Sequence, residues 1–146
     1  MTNFFHTQPL EELCARSLEK IKHVTDAATS TEVAGTAHNQ NAIRKSMNTL
    51  SEGKFLRHDA YEDLDRVISI LAEELDRETR DFVPIFHGRN DPDEGAIGTV
   101  IHERVLTSRG EQVADCLRNL RVLREMLLVL GHRFAAERIV NRRFGT

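Results

Sequence analysis

Apolar positions recur at intervals of three and four along most of the chain, and the longest such run, residues 111–143, is apolar on two sides. On one face lie Val113, Cys116, Leu117, Leu120, Leu123, Leu127, Leu130 and Phe134, the spacing of a helix that rests on a core. At about 1.5–3 kcal/mol for each large side chain, burying that face contributes on the order of 10–20 kcal/mol before conformational entropy is subtracted. Nearly opposite run Val122, Met126, Val129, Arg133, Ala136 and Val140, spaced like a coiled-coil seam. A helix with two apolar sides needs two neighbours. The pattern therefore predicts an all-α fold, a bundle of four to five helices with this long C-terminal helix at its centre.

The rest of the chain divides by caps and breakers. Pro9 suits a first helical turn, and Leu10, Leu13, Cys14, Ser17, Ile21, Val24 and Ala28 form the stripe of a first helix. Thr29-Ser30-Thr31-Glu32 has the form of a capping box and predicts a break. A second, more polar helix follows to Glu52, with Gly53 as its C-terminal cap. Asp59 and Glu62 open a third, whose stripe of Tyr61, Leu64, Val67, Ile68, Leu71, Leu75 and Phe82 ends before Pro84. Residues 84–90 read as a loop. Asp91-Pro92-Asp93-Glu94 then reads as the capped start of a fourth helix carrying Ile97, Val100, Ile101 and Val105, weakened by Gly95 and Gly98. Ser108 with Glu111 caps the long helix.

Composition supports a helical, single-domain reading of the 146 residues: one Tyr, seven Phe and no Trp favour helix over sheet. The net charge of −3 hides a polarity. Nine acids face three Arg between Asp59 and Asp81, while eight Arg face four acids from Arg109 onward. Such halves complement each other within a bundle or across a dimer. Cys14 and Cys116 both fall on apolar faces, as reduced thiols of a cytoplasmic protein do. The first residues lack the charge and apolar run of a signal peptide, and the longest apolar run, Met126–Leu130, is too short to span a bilayer.

Several constellations invite a chemical reading. His58 with Glu62, and Glu19 with His23, have the four-residue spacing of metal ligands on one helix. On the helical wheel, however, His58 and Glu62 lie well away from the apolar stripe, as do His23, His38, His102 and His132, and a hemerythrin-like site would want a His-x-x-x-His pair that the chain lacks. His38 has a small residue, Ala42, four positions on, as in a histidine phosphotransfer domain, but Gln40 and Asn41 stand where that family has a Lys-Gly pair. His87 and Arg89 could meet an anion at the next helix start, which Asp91, Asp93 and Glu94 already neutralise. Arg118, Arg121, Arg124, Arg138, Arg142 and Arg143 are the strongest basic series, yet they flank the apolar faces and are interrupted by Asp115, Glu125 and Glu137.

The chemistry thus assigns no catalytic, cofactor-binding or metal residue. The expected function is a non-enzymatic interaction or regulatory protein acting through protein–protein contacts, with no membrane association. Its expected partner is a second copy, paired about a two-fold axis through Val122, Met126, Val129, Arg133, Ala136 and Val140, because the thin second and fourth helices leave that seam uncovered. Arg133 would then need an acidic partner, such as Glu125 or Glu137 of the other chain. The alternatives are a metal-binding or histidine-phosphotransfer bundle, and a nucleic-acid-binding regulator that uses the arginine-rich C-terminal helix.

Overall fold

A computed structural model describes residues 9–55, 57 and 59–144, with the side chains of residues 80–83, 104 and 138–144 excepted. Its helices are α1 (Leu10–Ala28), a single turn α2 (Thr31–Ala34), α3 (Ala37–Thr49), α4 (Ala60–Arg77) and the long α5 (Ser108–Phe144). Between α4 and α5 stand two antiparallel strands, β1 (Thr79–Asp91) and β2 (Gly95–Leu106).

The helices form where caps and stripes coincide. Ser30 opens α2 by accepting from the Val33 N–H at 3.2 Å, and Gly35, at φ 85°, ends it after one turn. Thr36 reopens the chain into α3 by accepting from the Asn39 N–H at 3.0 Å. The region after Ala28 is therefore broken twice, not once. A wide turn over Leu50–Lys54 follows α3, and Gly53 sits in it at φ 80°, the left-handed geometry of a C-terminal cap. Thr107, one residue before the expected Ser108, caps α5 through its hydroxyl, which accepts from the Gly110 N–H at 3.0 Å.

The core is laid against α5. Lys20 donates to Asn119 at 2.6 Å and Tyr61 to the Leu127 carbonyl at 2.9 Å, while Arg109 at the start of α5 reaches Glu32 and Val33 just past α1 and Glu74 near the end of α4, so α1 and α4 both run antiparallel to α5. Leu13, Ile21 and Val24 of α1, Leu64, Val67 and Leu71 of α4, and Val113, Leu117, Leu120, Leu123, Leu127 and Leu130 of α5 are buried together. Ile43 and Met47 of α3 close the remaining side. Both α1 and α4 thus pack on the long C-terminal helix.

The all-α expectation fails between residues 79 and 106. The third helix stops at Arg77 rather than before Pro84, and both the loop of residues 84–90 and the fourth helix are replaced by the strands of one hairpin. Asp91-Pro92-Asp93-Glu94 serves equally well as a turn. Pro92 supplies the fixed φ, the Asp91 Oδ1 accepts from the Asp93 and Glu94 N–H groups at 2.8 and 3.2 Å, and Gly95 takes a φ of 81°. The three-and-four spacing of Ile97, Val100, Ile101 and Val105 is also met by a β-branched strand with apolar residues on both faces. The protein is thus a helical body with a two-stranded hairpin, mostly helical but not purely so.

Candidate functional site

The hairpin springs from the junction of α4 and α5. At its root the Thr107 N–H donates to the Glu78 carbonyl at 3.0 Å and the Thr107 hydroxyl donates to Glu78 Oε2 at 2.7 Å. Arg109 donates through Nη1 to Glu78 Oε1 at 2.9 Å. These donors hold the Glu78 carboxyl below its ordinary value, the Thr107 hydrogen bond contributing most and the Arg109 hydrogen bond next.

The same guanidinium reaches sideways into the body. Its Nε donates to the Glu32 carbonyl at 2.6 Å and its Nη2 to the Val33 carbonyl at 3.0 Å, the groups left without helical partners when α2 stops after one turn. Asn39 Nδ2 takes the next carbonyl, that of Ala34, at 2.9 Å. Beneath them lies Glu74, a carboxylate only 3% exposed on the core face of α4. Its Oε1 accepts from Arg109 at 3.4 Å and from Asn39 at 3.3 Å, and its Oε2 accepts from Arg77 at 2.8 Å. A Cβ at Gly35 would meet Glu74 Oε1 and Arg109 Nη2, so those side-chain ends would have to shift, and the positive φ favours glycine there. This cluster consumes its own charges. Chemically it is a clasp that fixes α2, α4 and the start of α5 together and seats the hairpin root.

Beyond the root, strands of 13 and 12 residues make an arm about 40 Å long. Its contacts with the helices are concentrated where β2 runs into α5. A register shift between Arg80 and Val83 bends its base. From there Ile85 pairs with Ile101, Phe86 with Val100, His87 with Thr99 and Arg89 with Ile97. Alternation puts Phe86 and Val100 on one face and Ile85, Ile97 and Ile101 on the other. Phe86, Ile97, Val100 and Ile101 are 44, 37, 58 and 44% exposed. Among the described residues the sheet has two strands, so each presents a free edge.

No known protein family, curated protein or solved structure matches the chain.

The residues singled out from sequence are dispersed around this framework. Of the seam, Met126 and Val129 are buried within the chain, with 4 and 5% exposed, where α1 packs on α5. Val122 and Ala136 are exposed, Arg133 is half-buried, and the Val140 side chain lies outside the described residues. Val122 and Met126 floor a shallow groove walled by Arg16, Glu19, Lys20 and His23.

Of the histidines, His23, His38, His102 and His132 are exposed, as are Glu19 and Glu62, and His58 lies outside the described residues. Among the described residues no three His, Cys, Asp or Glu side chains gather as metal ligands would. His87 is on β1 and pairs with Glu103 at 3.1 Å, while Arg89 is exposed on the same strand. Arg118 is paired with Asp115; Arg124 is paired with Asp65 at 2.8 Å and lies 6.0 Å from the centre of the Tyr61 ring. Arg121 is exposed, and the side chains of Arg138, Arg142 and Arg143 are outside the described residues. Cys14 and Cys116 are free thiols. No helix among the described residues is long and apolar enough to cross a membrane.

The clasp had a trace in the sequence. Leu64, Val67 and Leu71 continue at the same alternating spacing to Glu74 and Glu78, placing two carboxylates in the apolar register of α4. A buried charge at such a position needs partners, and Arg77, Asn39 and Arg109 supply them.

Proposed function

We propose that this protein is a non-enzymatic interaction protein whose contact element is the β1–β2 arm. One observation carries this reading: four large apolar side chains, Phe86, Ile97, Val100 and Ile101, stand at the surface on both faces of a two-stranded sheet with open edges. A two-stranded hairpin is marginal in water by itself, and apolar residues on both its faces gain stability only when another surface covers them. Open edges and exposed apolar pairs are the features by which strands add to partners.

The polar clusters support the same reading. Glu74, Glu78 and Arg109 are engaged with each other and with backbone carbonyls, which builds a rigid seat for the arm. Arg118 and Arg124 are paired with acids, as flanking charges of a bundle are. A homodimer is part of the proposal, as are a regulatory role and a cytoplasmic place of work, in keeping with two unpaired thiols.

The test replaces residues 83–104 with a short Gly/Ser turn and compares this variant with the whole chain by light scattering and by co-purification from source cells. The expected result is an unchanged helical circular dichroism spectrum and loss of the associations that the whole chain makes. A variant that keeps every association of the whole chain overturns the reading.

A further inference from the structure

We infer that the arm's occupant is a second copy of this chain, whose α1–α5 groove receives the arm tip, in a reciprocal two-fold exchange. This rests on the proposed role of the arm and adds its partner and its receiving surface.

The tip and the groove have matching chemistry. At the tip, Pro92, Asp93 and Glu94 are exposed, and the Asp91 carboxylate is folded inward onto the backbone of the turn. An apolar ring is thus flanked by two outward carboxylates. In the groove, Val122 and Met126 form an apolar floor, and Arg16 and Lys20 supply cations on one wall beside Glu19 and His23. Val122 is 41% exposed there, the part of the long helix's second apolar side that α1 leaves open. Pro92 on Val122, with Asp93 and Glu94 toward Arg16 and Lys20, unites an apolar contact with two opposite-charge pairs.

Reach and area agree with an exchange between copies. Val122 lies 14 residues beyond the start of α5, about 21 Å along the helix, and the arm is about 40 Å long. Pro92, Asp93 and Glu94 are exposed at the tip, so the chain's own body does not cover them. One face of a two-stranded arm of this length offers about 400 Å². Where the arm also lies along its partner from tip to root, each copy gives one arm face and receives another, up to about 800 Å² per partner, which is what a stable specific pair buries. The isologous geometry also closes the assembly at two copies.

The test uses two full-length charge-reversed chains, Asp93→Lys/Glu94→Lys and Arg16→Glu/Lys20→Glu, each checked for native helicity by circular dichroism. Sedimentation and light scattering should show a wild-type dimer and, for each variant alone, a dissociation constant raised on the order of tenfold or more. An equimolar mixture of the two should dimerise again, because both tip–groove contacts are then complementary. A monomeric wild type, variants that dimerise as the wild type does, or a mixture that stays monomeric each overturns the tip–groove pairing. The broader reading of the arm fails separately, when its deletion leaves all associations intact.

Discussion

Gly88 and Gly98 face each other across the arm, so closely that a Cβ built on either would lie 2.7 Å from the other's Cα. Gly98 also holds a φ of 152°, a conformation that side-chain-bearing residues rarely adopt. Between the Phe86–Val100 pair and the turn, the arm therefore has a waist with no side chains on one face.

Gly98→Val should cost about 1–3 kcal/mol locally through backbone strain and the clash with β1. Cross-strand amide protection from exchange should fall in the outer half of the arm. The thermal midpoint followed at helical wavelengths should stay unchanged, since the arm meets the helices mainly at its root. Equal protection in both chains would show that the strands tolerate a side chain there.

Arg109→Ala should destabilise the body by about 3 kcal/mol in urea unfolding, because it leaves the Glu74 carboxylate buried with fewer partners. That is the low end for a broken buried pair, since the guanidinium is itself 26% exposed. Arg109→Lys should recover little, because three guanidinium nitrogens act in different directions and an ammonium cannot reproduce the fork. Gly35→Ala should cost about 1–3 kcal/mol through its positive φ, with a smaller part from displacing the ends of Glu74 and Arg109. A change below about 0.5 kcal/mol in Arg109→Ala would mean the clasp is decorative.

The bundle was legible wherever a stripe and a cap agreed. Leu64, Val67 and Leu71, or Leu120, Leu123 and Leu127, place buried faces without help from tertiary contacts. The arm was not, because Asp91-Pro92-Asp93-Glu94 opens a helix or makes a turn with the same side chains, and Ile97, Val100 and Ile101 satisfy both periods. Protein-wide scarcity of aromatics also obscured a local excess of β-branched residues. As for the seam, Met126 and Val129 were recognisable as needing cover, but pattern alone does not say whether α1 or another copy provides it. The clasp required knowing that Glu74 and Arg109 meet, a contact 35 residues apart in the chain.

Acid should loosen the arm's root as the Glu78 carboxylate takes up a proton. The Glu78 carboxyl lies below its ordinary value of 4.5, chiefly through the Thr107 hydroxyl. A depressed carboxylate stabilises the fold fully above its ordinary value, and the contribution disappears as pH falls through the lowered one. Carboxyl NMR should therefore place the Glu78 titration below 4.5. Glu78→Gln should remove that part of the acid dependence at the Thr107 amide. A Glu78 midpoint at or above the ordinary value contradicts the hydrogen-bonded geometry.

Burial pushes the Cys116 thiol up to about 11, so at pH 8 roughly one in a thousand would be thiolate. Cys14 is also raised, by burial first, with Arg133 opposing and Glu11 and Glu137 adding to it. Under native conditions a thiol reagent should label half-buried Cys14 slowly and Cys116 only through opening of the core. Mass spectrometry of partly labelled protein gives the order. Cys116 reacting first would place it at an accessible site.

Because Arg109 both holds Glu78 at the arm's root and caps the carbonyls of Glu32 and Val33, tension on the arm has a defined path into the body. Pulling Glu78 away would free one arm of the guanidinium fork and slacken its hold on the single turn that Gly35 terminates. Load applied at the arm would therefore reach residues 31–35 through the guanidinium, on the far side of the clasp, as well as α4 and α5 through the backbone that joins them to the strands.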